Sequence, residues 1–174
     1  AGVAIALEGP RDALEEFLAR LKSEPPPHAD LHRVEFCWPE PVGMTGFAIL
    51  ASTSGARPTA VVPPDIAICP ECLAEMSDPA NRRFRYPFTN CTHCGPRYKI
   101  IESMPYDRPR TTMARFRQCD ACRAEYENPT DRRYHAQPNA CPACGPQLAL
   151  WNAVGSPLAT QDDALRAAAG AIRD

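Results

Sequence analysis

The chain has 174 residues, enough for one ordinary domain or two small ones, and its 44% apolar content suits a globular protein. A net charge of −2 argues against a strongly basic nucleic-acid binder, and no apolar run approaches the roughly 20 residues that cross a bilayer. Its 20 prolines against 9 glycines point to short elements joined by stiff turns.

The chain opens Ala-Gly inside a strand-like pattern, without the basic and apolar regions of a secretory leader. It is therefore expected to be a piece of something longer, in the reducing cytoplasm. Residues 1–52 read as strand, helix, strand, strand. Val3 to Leu7 is a short apolar strand closed by Gly9-Pro10. Asp12 to Lys22 places Ala13, Leu14, Phe17, Leu18 and Leu21 at helical spacing, and Pro25-Pro26-Pro27 ends it. Leu31 to Trp38 and Phe47 to Leu50 supply two more strands, giving a βαββ piece whose sheet edge stays open. Cys37, in the run Val34 to Trp38, is expected to be a small buried thiol. The Ser/Thr/Pro-rich stretch 53–64 reads as a linker.

Residues 65–150 carry the strongest signal. Eight of the nine cysteines form C-x-x-C pairs: Cys69/Cys72, Cys91/Cys94, Cys119/Cys122 and Cys141/Cys144. A shift of 50 superimposes all eight without a gap, and 11 of 29 positions from Cys69 to Arg97 are then identical. The identities include Glu75 with Glu125, Arg82-Arg83 with Arg132-Arg133, and Gly95-Pro96 with Gly145-Pro146. Two residues between cysteines let the chain turn so that both sulfurs face one ion, and two such turns make the tetrahedral S₄ set that zinc prefers. Two zinc ions per chain are expected, with Cys69, Cys72, Cys91, Cys94, Cys119, Cys122, Cys141 and Cys144 as ligands. The pairing is either sequential (69–94 and 119–144) or interleaved, and the 50-residue repeat favours the sequential one. Exchange-active dithiols would need a thioredoxin-like context that is absent, and iron–sulfur spacings differ.

Residues 69–147 hold 12 basic against 9 acidic side chains. Four thiolates around zinc carry a net −2, so two sites cancel that surplus. The paired arginines are accordingly expected to neutralise their own metal sites and nearby acids rather than bind phosphate. His93 and His135 are read as structural, because eight thiolates already fill two sites. Beyond the repeat, Gln147 to Trp151 reads as a brief strand, Gly155-Ser156-Pro157 as a turn, and Asp162 to Arg173 as a helix capped by Thr160 or Asp162.

The runs Tyr86 to Arg97, Pro105 to Pro109, Arg132 to Pro138 and Cys141 to Pro146 resemble the zinc-finger region of the HypF family of carbamoyltransferases. Val3–Leu50 is similar to the second half of that family's ferredoxin-like, acylphosphatase-like domain, and 151–174 resembles a linker and the first helix of its YrdC-like domain. The fold class implied is α+β, small and zinc-stabilised: a partial βαββ piece followed by two tandem four-cysteine zinc fingers. The resemblance implies a full-length enzyme that uses carbamoyl phosphate and ATP to carbamoylate the C-terminal cysteine of HypE, for the cyanide ligand of [NiFe]-hydrogenases. It carries over eight cysteine ligands and no catalytic residue, so this segment is expected to be a connector between the neighbouring domains. The rival reading is a zinc-dependent module that binds nucleic acid or protein; the near-zero charge after counting thiolates speaks against nucleic acid.

Overall fold

A computed structural model describes residues 3–26, 29, 31–50 and 65–173. The chain divides into two compact units, Ala1–Val61 and Val62–Asp174. The linker expected at 53–64 lies, with residues 51 and 52, wholly outside the described residues. No helix of the described residues is long and apolar enough to cross a membrane.

The described residues of the first unit hold one helix, α1 (Arg11–Ser23), which extends the expected span by a residue at each end. Its first turn carries Asp12 and its last turn Arg20 and Lys22, the charge order that a helix dipole favours. The three strands expected around it are absent among the described residues. A strand is defined by its ladder, and short apolar runs specify only a readiness to pair. Among the described residues, 3–7, 31–38 and 47–50 form no β-ladder, and Val3, Phe36 and Phe47 stay exposed. Cys37 is likewise exposed rather than buried, since the described residues form no sheet around it.

What holds this unit together is polar and aromatic. The Glu8 carboxylate accepts three successive backbone N–H groups, from Val42 at 2.6 Å, Gly43 at 2.9 Å and Met44 at 2.7 Å. Gly43, at φ 79°, lets the backbone curl so that these donors converge. Arg11 of α1 lies 3.7 Å over the Trp38 ring, which meets Phe36 edge-on.

The second unit contains the repeat. Each half starts with an eight-residue helix, α2 (Pro70–Ser77) and α3 (Asp120–Glu127), directly after its first cysteine. A polar pair then turns the chain twice. Asp78 accepts from Ala80 N and Asn81 from Arg83 N; fifty residues on, Asn128 accepts from Thr130 N and Asp131 from Arg133 N. Arg85 (φ 58°) and His135 (φ 50°) follow in the left-handed region. Their N–H groups return to Met76 O and Tyr126 O on the helices, at 2.9 and 3.0 Å. This is how an 18-residue spacer brings the second cysteine pair back beside the first.

Between the halves, 97–118 runs through short 3₁₀ turns joined by an antiparallel bridge, Ile101 to Thr111. Arg108 pins this segment to the second half through the carbonyls of Gln137 (2.6 Å) and Asn139 (3.0 Å), and closes it on Phe116 O (2.8 Å). A small core forms underneath from Tyr86, Met113 and Ala140, flanked by Ile100 and Phe116.

After the repeat, β1 (Ala149–Trp151) pairs antiparallel with β2 (Pro157–Thr160), a strand the sequence did not announce, around a turn with Gly155 at φ 81°. Helix α4 (Gln161–Arg173) follows at once, one residue ahead of the expected start. Asp162, expected as a cap, instead gives its carboxylate to Arg85 (2.5 Å) and Arg166 (2.7 Å).

Candidate metal centres

The eight paired cysteines gather into two groups in chain order. Cys69, Cys72, Cys91 and Cys94 form one, and Cys119, Cys122, Cys141 and Cys144 the other, with all four sulfurs of each group within 4.8 Å of one another. The sequential pairing is therefore the one the fold adopts. None of these cysteines is in a disulfide. Sulfur–sulfur separations of 3.5 Å (Cys69–Cys91) and 3.9 Å (Cys91–Cys94) in the first group, and 3.7 Å along three edges of the second, recur. A tetrahedral ion with bonds of about 2.3 Å to sulfur needs ligand edges of about 3.8 Å. The residues present thus fit a tetrahedral thiophilic ion in both groups. Neither His93 nor His135 joins a group; His135 stacks on Tyr126 instead, centroids 4.9 Å apart.

Backbone donors back up the sulfurs. Cys72 N reaches Cys69 Sγ at 3.4 Å and Cys69 N reaches Cys94 Sγ at 3.3 Å. Crowding splits the thiol affinities for protons. The Cys91 thiol is held down to about 4 by its hydrogen bond with Cys72, against the opposing effect of burial. Burial pushes Cys122 up to about 12, opposed by Arg82. Cys119 falls to about 7 because Cys122 N–H and the neighbouring thiols outweigh its burial.

The arginine pairs are placed otherwise than the sequence suggested: each serves the other repeat. Arg82 Nη1 lies 3.3 Å from Cys122 Sγ, and Arg132 Nη1 lies 3.0 Å from Cys72 Sγ. Arg83 and Arg133, both buried, stand behind them at 3.7 and 3.9 Å from the same sulfurs. Glu125 bridges Arg82 and Arg83 at 2.6 and 2.5 Å. Glu75 bridges Arg132 at 2.5 Å and Arg133. Arg83 Nε donates to Ala140 O and Arg133 Nε to Asn90 O, both at 3.0 Å. Burial would raise the Glu125 carboxyl, but Arg83 and Arg82 bring it down to about 2; Glu75 is lowered by the same balance. The exchange obeys the 50-residue shift almost atom for atom. It departs where the repeat does: Thr92 donates its N–H and its hydroxyl to Arg132 O, at 3.0 and 2.9 Å, whereas its counterpart Pro142 has no N–H.

Glu75 and Glu125 were missed as parts of the site, although their identity across the shift was the available signal. Asn139 was missed too; it accepts from Arg83 (3.0 Å) and donates to Cys122 O (2.9 Å).

Comparison with known proteins agrees with this geometry. The HypF finger family model matches residues 68–101 and 119–151. The carbamoyltransferase HypF of Synechocystis sp. is 54% identical over 164 residues, covering 94% of this chain and 21% of that protein. Carbamoyltransferase HypF2 of Cupriavidus necator is 56% identical over 165 residues, covering 93% and 20%. The crystal structure of T. kodakarensis HypF aligns with a TM-score of 0.78 at 46% identity, over 95% of this chain and 20% of that one. The chain thus spans about a fifth of the length of the curated relatives it matches.

Proposed function

Because the chain belongs to the HypF family through both of its fingers, we propose that it acts as the two-zinc connector of a carbamoyltransferase. The observation that carries this is the pair of four-sulfur groups with tetrahedral edges of 3.5 and 3.9 Å in the first and 3.7 Å in the second. When bound, zinc supplies folding energy that the small core of the second unit cannot. With two arginines and one glutamate facing each group, the formal charge of a zinc-loaded centre falls to about −1. All coordination positions are filled by thiolates, which is the closed arrangement of structural rather than catalytic sites.

The relatives' name, carbamoyltransferase, supports the wider reading. In it, the whole protein uses carbamoyl phosphate and ATP to carbamoylate the C-terminal cysteine of HypE in the cytoplasm. Residues 1–52 belong to its acylphosphatase-like domain and 151–174 lead into its YrdC-like domain. No residue of this chain is assigned a catalytic role. The nucleic-acid reading draws no support, because Arg82, Arg83, Arg132 and Arg133 are committed to carboxylates and sulfurs.

The test is metal content by mass spectrometry with thiol titration before and after chelation. Two zinc ions per chain, and eight thiols that become reactive only on unfolding in chelator, are expected. Less than one zinc, or thiols locked in disulfides, would remove the connector reading.

A further inference from the structure

Each centre is completed by donors from the other repeat. Arg82 and Arg83 lie on the loop between Cys72 and Cys91, the loop that closure of the first centre fixes. Two side-chain-capped turns and the left-handed Arg85 then hold that loop in shape. Both arginines point away from their own cysteines, onto Cys122 Sγ. The converse holds for Arg132 and Arg133 and Cys72 Sγ. Among the described residues, neither pair donates to a sulfur of its own repeat.

We infer that the two centres load metal cooperatively, each one's affinity being set by the arginines of the opposite repeat. This rests on the two-zinc reading above. The physical basis is direct. A charged N–H donor aimed at a ligand sulfur orients it and shares the negative charge it carries when metal is bound. Until the opposite repeat has closed, its arginines are unplaced, so the first ion meets a poorer site than the second. Groups that orient or hydrogen-bond metal ligands change affinity by about 10–100-fold when removed. A coupling of about tenfold between the centres follows, and by linkage it acts equally in both directions.

Two measurements on the full chain test this. Zinc is titrated into the reduced, metal-free protein and species are counted by native mass spectrometry. Cooperative loading leaves metal-free and two-zinc chains dominant at half saturation, with the one-zinc form well below the roughly one half that independent equal sites give. A one-zinc form at that statistical level, with two zinc ions bound at the end, overturns the inference and leaves the zinc reading standing. A chain that takes up no metal overturns both.

The second measurement is ¹¹³Cd NMR of the cadmium-loaded chain, each signal assigned through its cysteine protons. Arg82→Gln is expected to move the signal of the Cys119–Cys144 centre and weaken that centre about tenfold, sparing the Cys69–Cys94 centre. Arg132→Gln should do the reverse. A shift confined to the variant's own repeat would overturn the crossed assignment. Should either variant fail to fold, the wild-type titration decides alone.

Discussion

The hydroxyl of Tyr86 occupies the space where Gly145 would carry a side chain. A Cβ built on Gly145 would stand 2.1 Å from Tyr86 Oη and 2.5 Å from Ala140 Cβ. Tyr86 comes from the first half and donates to Pro146 O of the second at 3.1 Å, so this contact is one of the seams between the repeats. Gly145→Ala should therefore cost about 2 kcal/mol through overpacking. Adding Tyr86→Phe should recover part of that loss, although alone it removes a hydrogen bond worth about 1 kcal/mol. Gly155→Ala, in open space at φ 81°, should cost only about 1 kcal/mol. Urea unfolding of the metal-loaded variants gives the order. Equal losses at positions 145 and 155 would contradict the packing argument.

Glu125→Gln leaves Arg83, with only 2% of its side chain exposed, without its counter-charge. Removing one partner of a buried pair costs about 3 kcal/mol. The neighbouring Glu127 is exposed, and Glu127→Gln should stay within about 0.5 kcal/mol. Chemical denaturation at neutral pH separates them, and matching midpoints would mean that Glu125 holds nothing in place.

Chelation should abolish α2 and α3. Helices of eight residues fall short of the roughly 12–15 needed for marginal stability in water, and each of these begins directly after a metal-facing cysteine. Far-UV circular dichroism should lose helical signal in step with the release of thiols. Helical signal that persists after all eight thiols have reacted would show that the metal is not what orders them.

In the first unit, Glu8 makes the pH-sensitive tie. Its carboxyl is lowered from the ordinary 4.5, first by the Val42 N–H and further by those of Met44 and Gly43. A depressed carboxylate contributes its stability above the unfolded value, and that contribution fades as pH falls through the folded one. The tie should be fully present above about pH 4.5 and lost on further acidification. The amide shifts of Val42, Gly43 and Met44 should titrate together with a midpoint below 4.5. A midpoint at or above that value, or an identical profile in Glu8→Gln, would rule the tie out.

The cysteine spacing made both groups legible, because two residues between ligands and an exact repeat are local and periodic facts. Helices α1 and α4 were legible to within a residue for the same reason. The strands of residues 3–50 were over-read: an apolar run such as Val3 to Leu7 states a readiness to be buried, while a strand needs a partner that no local pattern supplies. Strand β2 was under-read, since Pro157 and the turn before it disguise a run that pairs only once β1 is beside it. The arginines show the limit most clearly. Their identity across the shift of 50 marks them as part of the site, yet a spacing within one repeat is silent on which repeat's sulfur they reach. That choice is made by tertiary closure.

The exchange between Arg82 and Cys122 on one side, and Arg132 and Cys72 on the other, has the form of an isologous contact, in which residue i meets j and j meets i. Such a contact ordinarily joins two identical molecules about a two-fold axis. Here one chain contains both partners, so the two halves relate as the subunits of a dimer whose copies have been spliced end to end. Their later divergence, Thr92 against Pro142 or Tyr86 against Ala136, is the freedom that a fused pair has and a true homodimer lacks: each half can be altered without altering its mate.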